Sequence, residues 1–340
     1  MAWTSLHLHH HGGETEAMIR DVAAPLCDAS ARMGTPVYMF PHWRQGDHVR
    51  VNVDAGPRVL RSVLHPLADR LMAEYSHQFP SAKQRPTRAR MAADRRRAAL
   101  EDDRGPLLPW APDNRVVRRP HEDRSSAVGT VPAALVRANL VATNDLALRT
   151  RLGHVGATAR RALAFDLLVV TALRFGTIGL RHAYLCFRSH AEGFLTTFPE
   201  ARSLRAQWRR VSKTTTQALA ERVEALAGGA VAEAAELWAT ATGPSHAEAA
   251  ELAESGALRL ERTTERLAVS PFHTAMGATP AFREHVEGQS WYSAYRVALN
   301  LAYLHLTRVG LAPADRFLIC HLVADAVERA FDLPGTEPAE

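Results

Sequence analysis

Three places in this 340-residue chain gather side chains able to do chemistry. The first is "HLHHH" at 7–11. On an extended strand His7, His9 and His11 share a face, where imidazoles could ligate a metal or line a polar substrate site. No carboxylate or further ligand is marked nearby, so substrate lining is preferred and no metal is assigned. The second is "HVRVN" at 48–52, where His48, Arg50 and Asn52 alternate with valines to make a polar, partly cationic face. The third is "EGQSWYSAYR" at 287–296. Gln289, Ser290, Trp291, Tyr292, Ser293, Tyr295 and Arg296 crowd the start of a helical pattern, a set able to hydrogen-bond a carbonyl or deliver a proton. Trp291 and one of the tyrosines could equally be core anchors with satisfied polar tips.

A fourth feature is charge. Lys83, Arg85, Arg88, Arg90, Arg95, Arg96 and Arg97 are opposed locally by Asp94 alone, and the chain carries a formal +5. Phosphate binding would suit such a run, but aromatics for base stacking are absent within it. Nucleic acid is therefore disfavoured. A solvated or mobile segment and a contact for an acidic peptide, with arginine forking onto carboxylates, remain. Arg88, Arg95 and Arg96 are the candidates for the peptide contact.

Several classes drop out. There is no Gly-rich phosphate loop, paired Cys-x-x-Cys, His-Glu-x-x-His or nucleophile elbow. Cys27, Cys186 and Cys320 are too few and too scattered for a disulfide framework. The longest apolar run, "LAFDLLVVTAL" at 163–173, is too short for a bilayer and contains Asp166. With no signal-peptide pattern at the start, a cytoplasmic protein without a membrane partner is expected.

The elements that must position these groups follow from periodicity. "AWTSLHLHH" alternates as a strand with Trp3, Ser5, His7 and His9 on one face. Ile19, Val22, Ala23 and Leu26 recur at helical spacing. "PVYMFPHWRQGDHVRVNVDAG" at 36–56 reads as a hairpin turned at Gly46-Asp47. Gly56-Pro57 opens a helix with a stripe of Val59, Leu60, Val63, Leu64, Leu67 and Leu71. "NRVVRRP" could be an edge strand stopped by Pro120. From about 132 the pattern is helical, with breaks expected near Gly153, Gly176–Gly179, Pro199, Gly228-Gly229, Gly243-Pro244, Pro271–Pro280 and Gly310. Val297, Leu301, Leu304 and Val309 give the late helix a buried face. The expectation is an α+β fold: an antiparallel sheet from the N-terminal region with helices on it, and a predominantly helical C-terminal half. It is read as a single domain over 1–340 with a basic, Pro-rich segment at about 79–130.

The Trp-led strand, "VYMFPHWRQGDHVRV" and the late "LNLAYLHLTRVGLAPADRFLICHLV" together resemble the C-terminal elimination-type domain of lantibiotic dehydratases. In that family the hairpin reads like "FFIRY…HLRLR" and the late helix like "HM…NRL…". The length and the "WTSLHLH" opening look most like the thiopeptide pyridine synthases of the same fold. Elimination domains remove glutamate from glutamylated Ser or Thr. Pyridine synthases join two dehydroalanines of a leader-bound, azole-containing peptide by formal [4+2] cycloaddition, then expel water and the leader. The resemblance implies such a peptide as partner, no cofactor, and leaves a homo-oligomer open. His48 and Arg50 match retained positions, whereas Asn52 stands where a second arginine is expected and Thr307-Arg308 where "N-R" is expected. Either Tyr303 or His305 falls at the family's late catalytic histidine. For the cycloaddition, Tyr292 and Tyr295 are the expected proton donors and Gln289 and Ser290 the orienters. His7, His9, His48, Arg50, Trp291, Arg296 and His305 are expected to contact substrate. The alternatives are a glutamate-eliminating lyase beside a separate glutamylating subunit, and a non-catalytic basic module that binds the leader.

Overall fold

The computed structural model describes residues 2–13, 15–81, 86–101, 103, 105–123, 131–153, 156–198, 202–258 and 269–336. Lys83, Arg85 and Pro199 lie outside the described residues. The chain divides into two compact units, one of Met1–Ala127, Leu140–Val155 and Thr307–Gly310, the other of Val128–Asn139, Gly156–Leu306 and Leu311–Glu340.

The first unit is built on an antiparallel sheet of β1 (Ala2–His9), β2 (Val37–His42), β3 (His48–Ala55) and β4 (Arg115–Pro120), in the order β2-β3-β1-β4. The fourth strand is the edge strand anticipated from "NRVVRRP", and Pro120 closes it where the missing N–H matters least. Alternation sorts the side chains. Leu6, Leu8, Val49, Val51, Val53, Val37 and Met39 are buried apolar residues of one face. Two helical runs cover that side. They are α1 (Thr15–Met18, Ile19–Ala23 and Ala24–Arg32, with a π-helical middle) and α2 (Pro57–Val59, Leu60–Leu64 and His65–Gln78, again π-helical in the middle). Ile19, Val22, Leu26, Ala68 and Met72 are among their buried residues. Each large side chain withdrawn from water here is worth roughly 1.5–3 kcal/mol. A one-residue slip would reverse both faces, so the valines fix the register that aligns the polar face.

The hairpin turn follows the Gly46-Asp47 expectation. Gly46 has φ +96°, a left-handed conformation suited to glycine, and a Cβ there would lie 2.6 Å from His11 Nε2. The basic run forms a helix, α3 (Arg88–Glu101). Arg90 is tied to Asp47 and Asp94, and Arg97 to Glu101, whereas Arg88, Arg95 and Arg96 are exposed. Helix α4 (Asn144–Gly153) also belongs to this unit.

The second unit is helical. Helix α5 (Ala157–Phe175), α6 (Leu185–Thr197), α7 (Arg202–Ala227), α8 (Glu233–Glu254), α9 (Ser290–Arg308) and α10 (Pro313–Ala330) form most of it, the last turn of α9 belonging to the first unit. Helix α10 packs on α5, α6 and α7, and α8 packs on α5. One sequence expectation is corrected. Gly243-Pro244 does not break the chain, because α8 runs through Pro244. Proline removes one backbone donor, but Ala235, Trp238, Ala239, Thr242, Ser245 and Ala249 are buried along the helix and hold it together. Among the described residues no single helix is long and apolar enough to cross a membrane.

Candidate functional site

In the first unit, β-register brings the polar side chains together. His7 stands opposite Arg50 and His9 opposite His48 on the β1–β3 pair, and His42 is opposite His48 on the β2–β3 pair. The His7 and His48 rings stack with centroids 4.8 Å apart, and His9 lies 4.3 Å from His48. All are buried, with His7 5%, His9 2%, His48 3% and Arg50 5% exposed. His11, two residues past the end of β1, turns instead to Trp110, 4.9 Å between ring centroids. The cluster therefore gains a ring from β3 rather than from His11.

Hydrogen bonding fixes one tautomer. Arg50 Nε can only donate, and it lies 3.2 Å from His48 Nε2. His48 Nδ1 therefore carries the proton and donates to the Gly46 carbonyl at 2.8 Å. Arg50 Nη1 also donates to Glu122 at 2.9 Å, an acid shared with Arg44 at 2.6 Å. His7 Nε2 and His9 Nδ1 are buried without a protein hydrogen-bond partner. Burial, followed by the charge of Arg50, pushes His7 down to about 2. Burial, followed by His11, takes His9 to about 3, and burial followed by His9 holds His48 well below the usual imidazole range. The rings are neutral at physiological pH, each with a nitrogen lone pair that can accept a hydrogen bond or ligate a metal.

The second unit carries the other candidate group, at the start of α9. Tyr292 packs beside Trp291, ring centroids 5.6 Å apart, and Arg296 lies over its ring at 5.9 Å. Its hydroxyl is 3.9 Å from Cys186 Sγ, a weak contact. Burial, then Cys186, raises the Tyr292 pKa, which keeps the phenol protonated. Tyr295 differs: its ring is fully enclosed and its hydroxyl donates to the Ala183 carbonyl at 3.2 Å. Of the two tyrosines, Tyr295 takes the position of the core anchor. Gln289 is exposed and donates to the Glu284 carbonyl at 3.0 Å, Ser290 is half-buried, and the Trp291 indole donates to the His285 carbonyl at 3.2 Å.

Sequence reasoning missed His190. Its Nδ1 lies 2.5 Å from the hydroxyl of Tyr303, which also contacts Cys320 Sγ at 3.4 Å. Burial, then Arg296 and Arg316, lower His190 to about 3. Arg296 thus acts on both Tyr292 and His190. The available signal was a spacing of four: Cys186 and His190 lie one turn apart on α6. Ser189, beside them, pairs with His273 at 2.9 Å, and His273 in turn with Ser270 at 2.8 Å. Of the two residues aligned with the late catalytic histidine, Tyr303 joins this network. His305 is buried at 2% exposure near Trp238, centroids 6.1 Å apart.

Arg308, from the expected "N-R" position, belongs to neither group. It is fully buried in the first unit, donating to the Met39 carbonyl at 3.1 Å, to Thr143 at 2.8 Å and to Asn144 at 2.8 Å.

No curated protein matches the sequence significantly. Among solved structures, the chain is similar to "Pyridine synthase, TbtD, from thiomuracin biosynthesis", with 29% identity and TM-score 0.78 over 98% of this chain and 99% of that one. It also shares the fold of TsrL, with 22% identity and TM-score 0.72 over 97% of this chain and 95% of the other. The family model described as lantibiotic biosynthesis dehydratase C-term matches residues 3–327, and the chain belongs to that family.

Proposed function

We propose that this protein is a thiopeptide pyridine synthase. It joins two dehydroalanines of a leader-bearing, azole-containing peptide by formal [4+2] cycloaddition, then expels water and the leader as a carboxamide to leave a pyridine-centred macrocycle. The observation that carries this reading is the end-to-end likeness to a pyridine synthase, at 29% identity over 98% of the chain. Asn52 in place of the second hairpin arginine supports it over glutamate elimination, because a carboxylate clamp is thereby weakened.

The chemistry sets what the side chains must do. One dehydroalanine reacts as a 2-azadiene only after its neighbouring amide becomes the iminol, which moves a proton from nitrogen to oxygen. In the second unit the neutral phenol of Tyr292 is a donor for the oxygen, and the His190–Tyr303 pair is a neutral acceptor. Gln289 and Ser290, at the helix start, can orient an amide, and Trp291 and Arg296 offer a ring and a cation to the peptide. In the first unit His7, His9 and Arg50, on the sheet face they share with His48, supply hydrogen-bonding groups for backbone amides. Holding two alkenes in near-attack geometry is the larger contribution, worth roughly 7–11 kcal/mol when orientation is complete. No cofactor is required, because the steps neither oxidise nor reduce the peptide.

The test is mass spectrometry of the purified full chain with a synthetic leader-bearing peptide containing thiazoles and two dehydroalanines. Release of intact leader carboxamide with a pyridine macrocycle is expected. An unchanged peptide, with glutamate loss from a glutamylated one, would overturn the synthase reading in favour of an eliminase.

A further inference from the structure

We propose that His7, His9 and His48 form a binding site for a single borderline divalent transition-metal ion of the zinc and cobalt class. The inference does not rest on the cycloaddition, which needs no metal. His9 and His48 are direct cross-strand partners, and His7 lies two residues along the same face, so regular strand pairing alone delivers three imidazoles to one point. One ring nitrogen from each lies within 4.8 Å of the other two. A tetrahedral ion with nitrogen ligands at about 2.0–2.1 Å needs them roughly 3.3 Å apart. Rotation of the His7 and His9 rings is the movement that closes the set.

The hydrogen bonding is arranged for it. A metal-bound imidazole usually donates its outer N–H to a carbonyl or carboxylate, which fixes the tautomer and aims the free lone pair. His48 has this outer bond already, Nδ1 donating to Gly46 O at 2.8 Å, which leaves Nε2 as the ligating nitrogen once Arg50 Nε is displaced from it. His7 Nε2 and His9 Nδ1 are enclosed without protein partners. Burying such atoms unpaired is costly, and an ion would satisfy both. The donor set selects the ion, since imidazoles suit zinc, cobalt, nickel or copper, whereas calcium and magnesium require oxygen. Three protein ligands would leave a fourth position for water or a substrate atom.

Arg50 opposes the site. Its Nε occupies the His48 lone pair at 3.2 Å, and its charge repels a cation. Glu122 offsets part of that charge through its contact with Arg50 Nη1. The balance makes a distinguishing prediction, because removing Arg50 should strengthen metal binding rather than weaken it.

The experiment uses the untagged full chain, stripped with chelator and titrated with cobalt(II) while visible absorption is followed. The expected result is the d–d band of four- or five-coordinate cobalt, saturating at one ion per chain and abolished by zinc. His7→Gln and His9→Gln should each weaken binding by about a hundredfold or more, above the 10–100-fold typical of losing an outer-shell partner. His77→Gln, at an exposed imidazole, should leave it unchanged, and Arg50→Gln should tighten it several-fold. Thermal unfolding of each variant checks that the fold survives, and zinc should raise the wild-type transition in proportion to its occupancy. Absence of the cobalt band in wild type, or a band that persists in the His7→Gln/His9→Gln double variant, would overturn the proposal.

Discussion

The guanidinium of Arg308 lies 2.8 Å from the side-chain oxygen of Asn144, and that same oxygen accepts the backbone N–H of Met39 at 2.8 Å. Arg308 also grips the Met39 carbonyl, so the two side chains together satisfy both polar groups of one β2 residue. Burial lowers the Arg308 pKa to about 10, which still leaves it charged at neutral pH. A residue aligned with a functional motif of the family therefore staples strand to helix in this chain.

Arg308→Met should accordingly destabilise the fold, because Thr143, Asn144 and the Met39 carbonyl lose a charged donor in a dry interior. A loss of about 3 kcal/mol or more is expected, with Arg308→Lys intermediate. Urea unfolding reads it directly, and an unchanged midpoint would contradict the stapling role.

Tyr292 and Tyr295 should separate cleanly on removal of a single oxygen. Tyr292→Phe is expected to cut the single-turnover rate about 10²–10⁴-fold while hardly moving the unfolding transition, since among the described residues its hydroxyl makes only the long approach to Cys186. Tyr295→Phe should do the reverse, lowering stability by leaving the Ala183 carbonyl unpaired. Equal rates for both variants would remove Tyr292 from the chemistry.

His190 makes stability acid-sensitive. Its folded pKa, about 3, lies below the unfolded value of 6.5. Between those limits the unfolded chain binds a proton that the native ring refuses. Stability from this group is therefore complete above pH 6.5 and falls as pH drops towards 3, by at most about 1.4 kcal/mol per pH unit. Chemical unfolding of wild type and His190→Gln across that range should show the shallower slope in the variant. Parallel slopes would mean that the ring is protonated in the native state.

Arg88, Arg95 and Arg96 project from α3 without taking part in its ion pairs. Reversing all three to Glu should weaken binding of an acidic leader peptide at low salt and flatten the salt dependence of its Kd. Turnover at saturating peptide should be unaffected. Fluorescence anisotropy with labelled leader provides the comparison, and unaltered affinity would place the leader elsewhere.

Much of this arrangement was legible in the residues. Strict alternation in "WTSLHLH" and "HVRVNV" placed His7, His9, His48 and Arg50 on one polar sheet face, because a pleated strand has a period of two whatever packs on it. Pro120 marked an edge strand, and the apolar stripe of α9 was readable because helical phase is set locally. Tertiary structure decided the rest. Tyr292 and Tyr295 are three residues apart on one helix, and only the enclosure of Tyr295 against the Ala183 carbonyl separates their surroundings. His190 and Tyr303 meet across 113 residues of chain, a separation at which no periodic signal survives. Gly243-Pro244 has the local signature of a break, yet burial of Trp238 and its neighbours carries the helix past a missing donor. Local geometry fixes which way a side chain faces; which partner it finds there depends on contacts that only the packed chain creates.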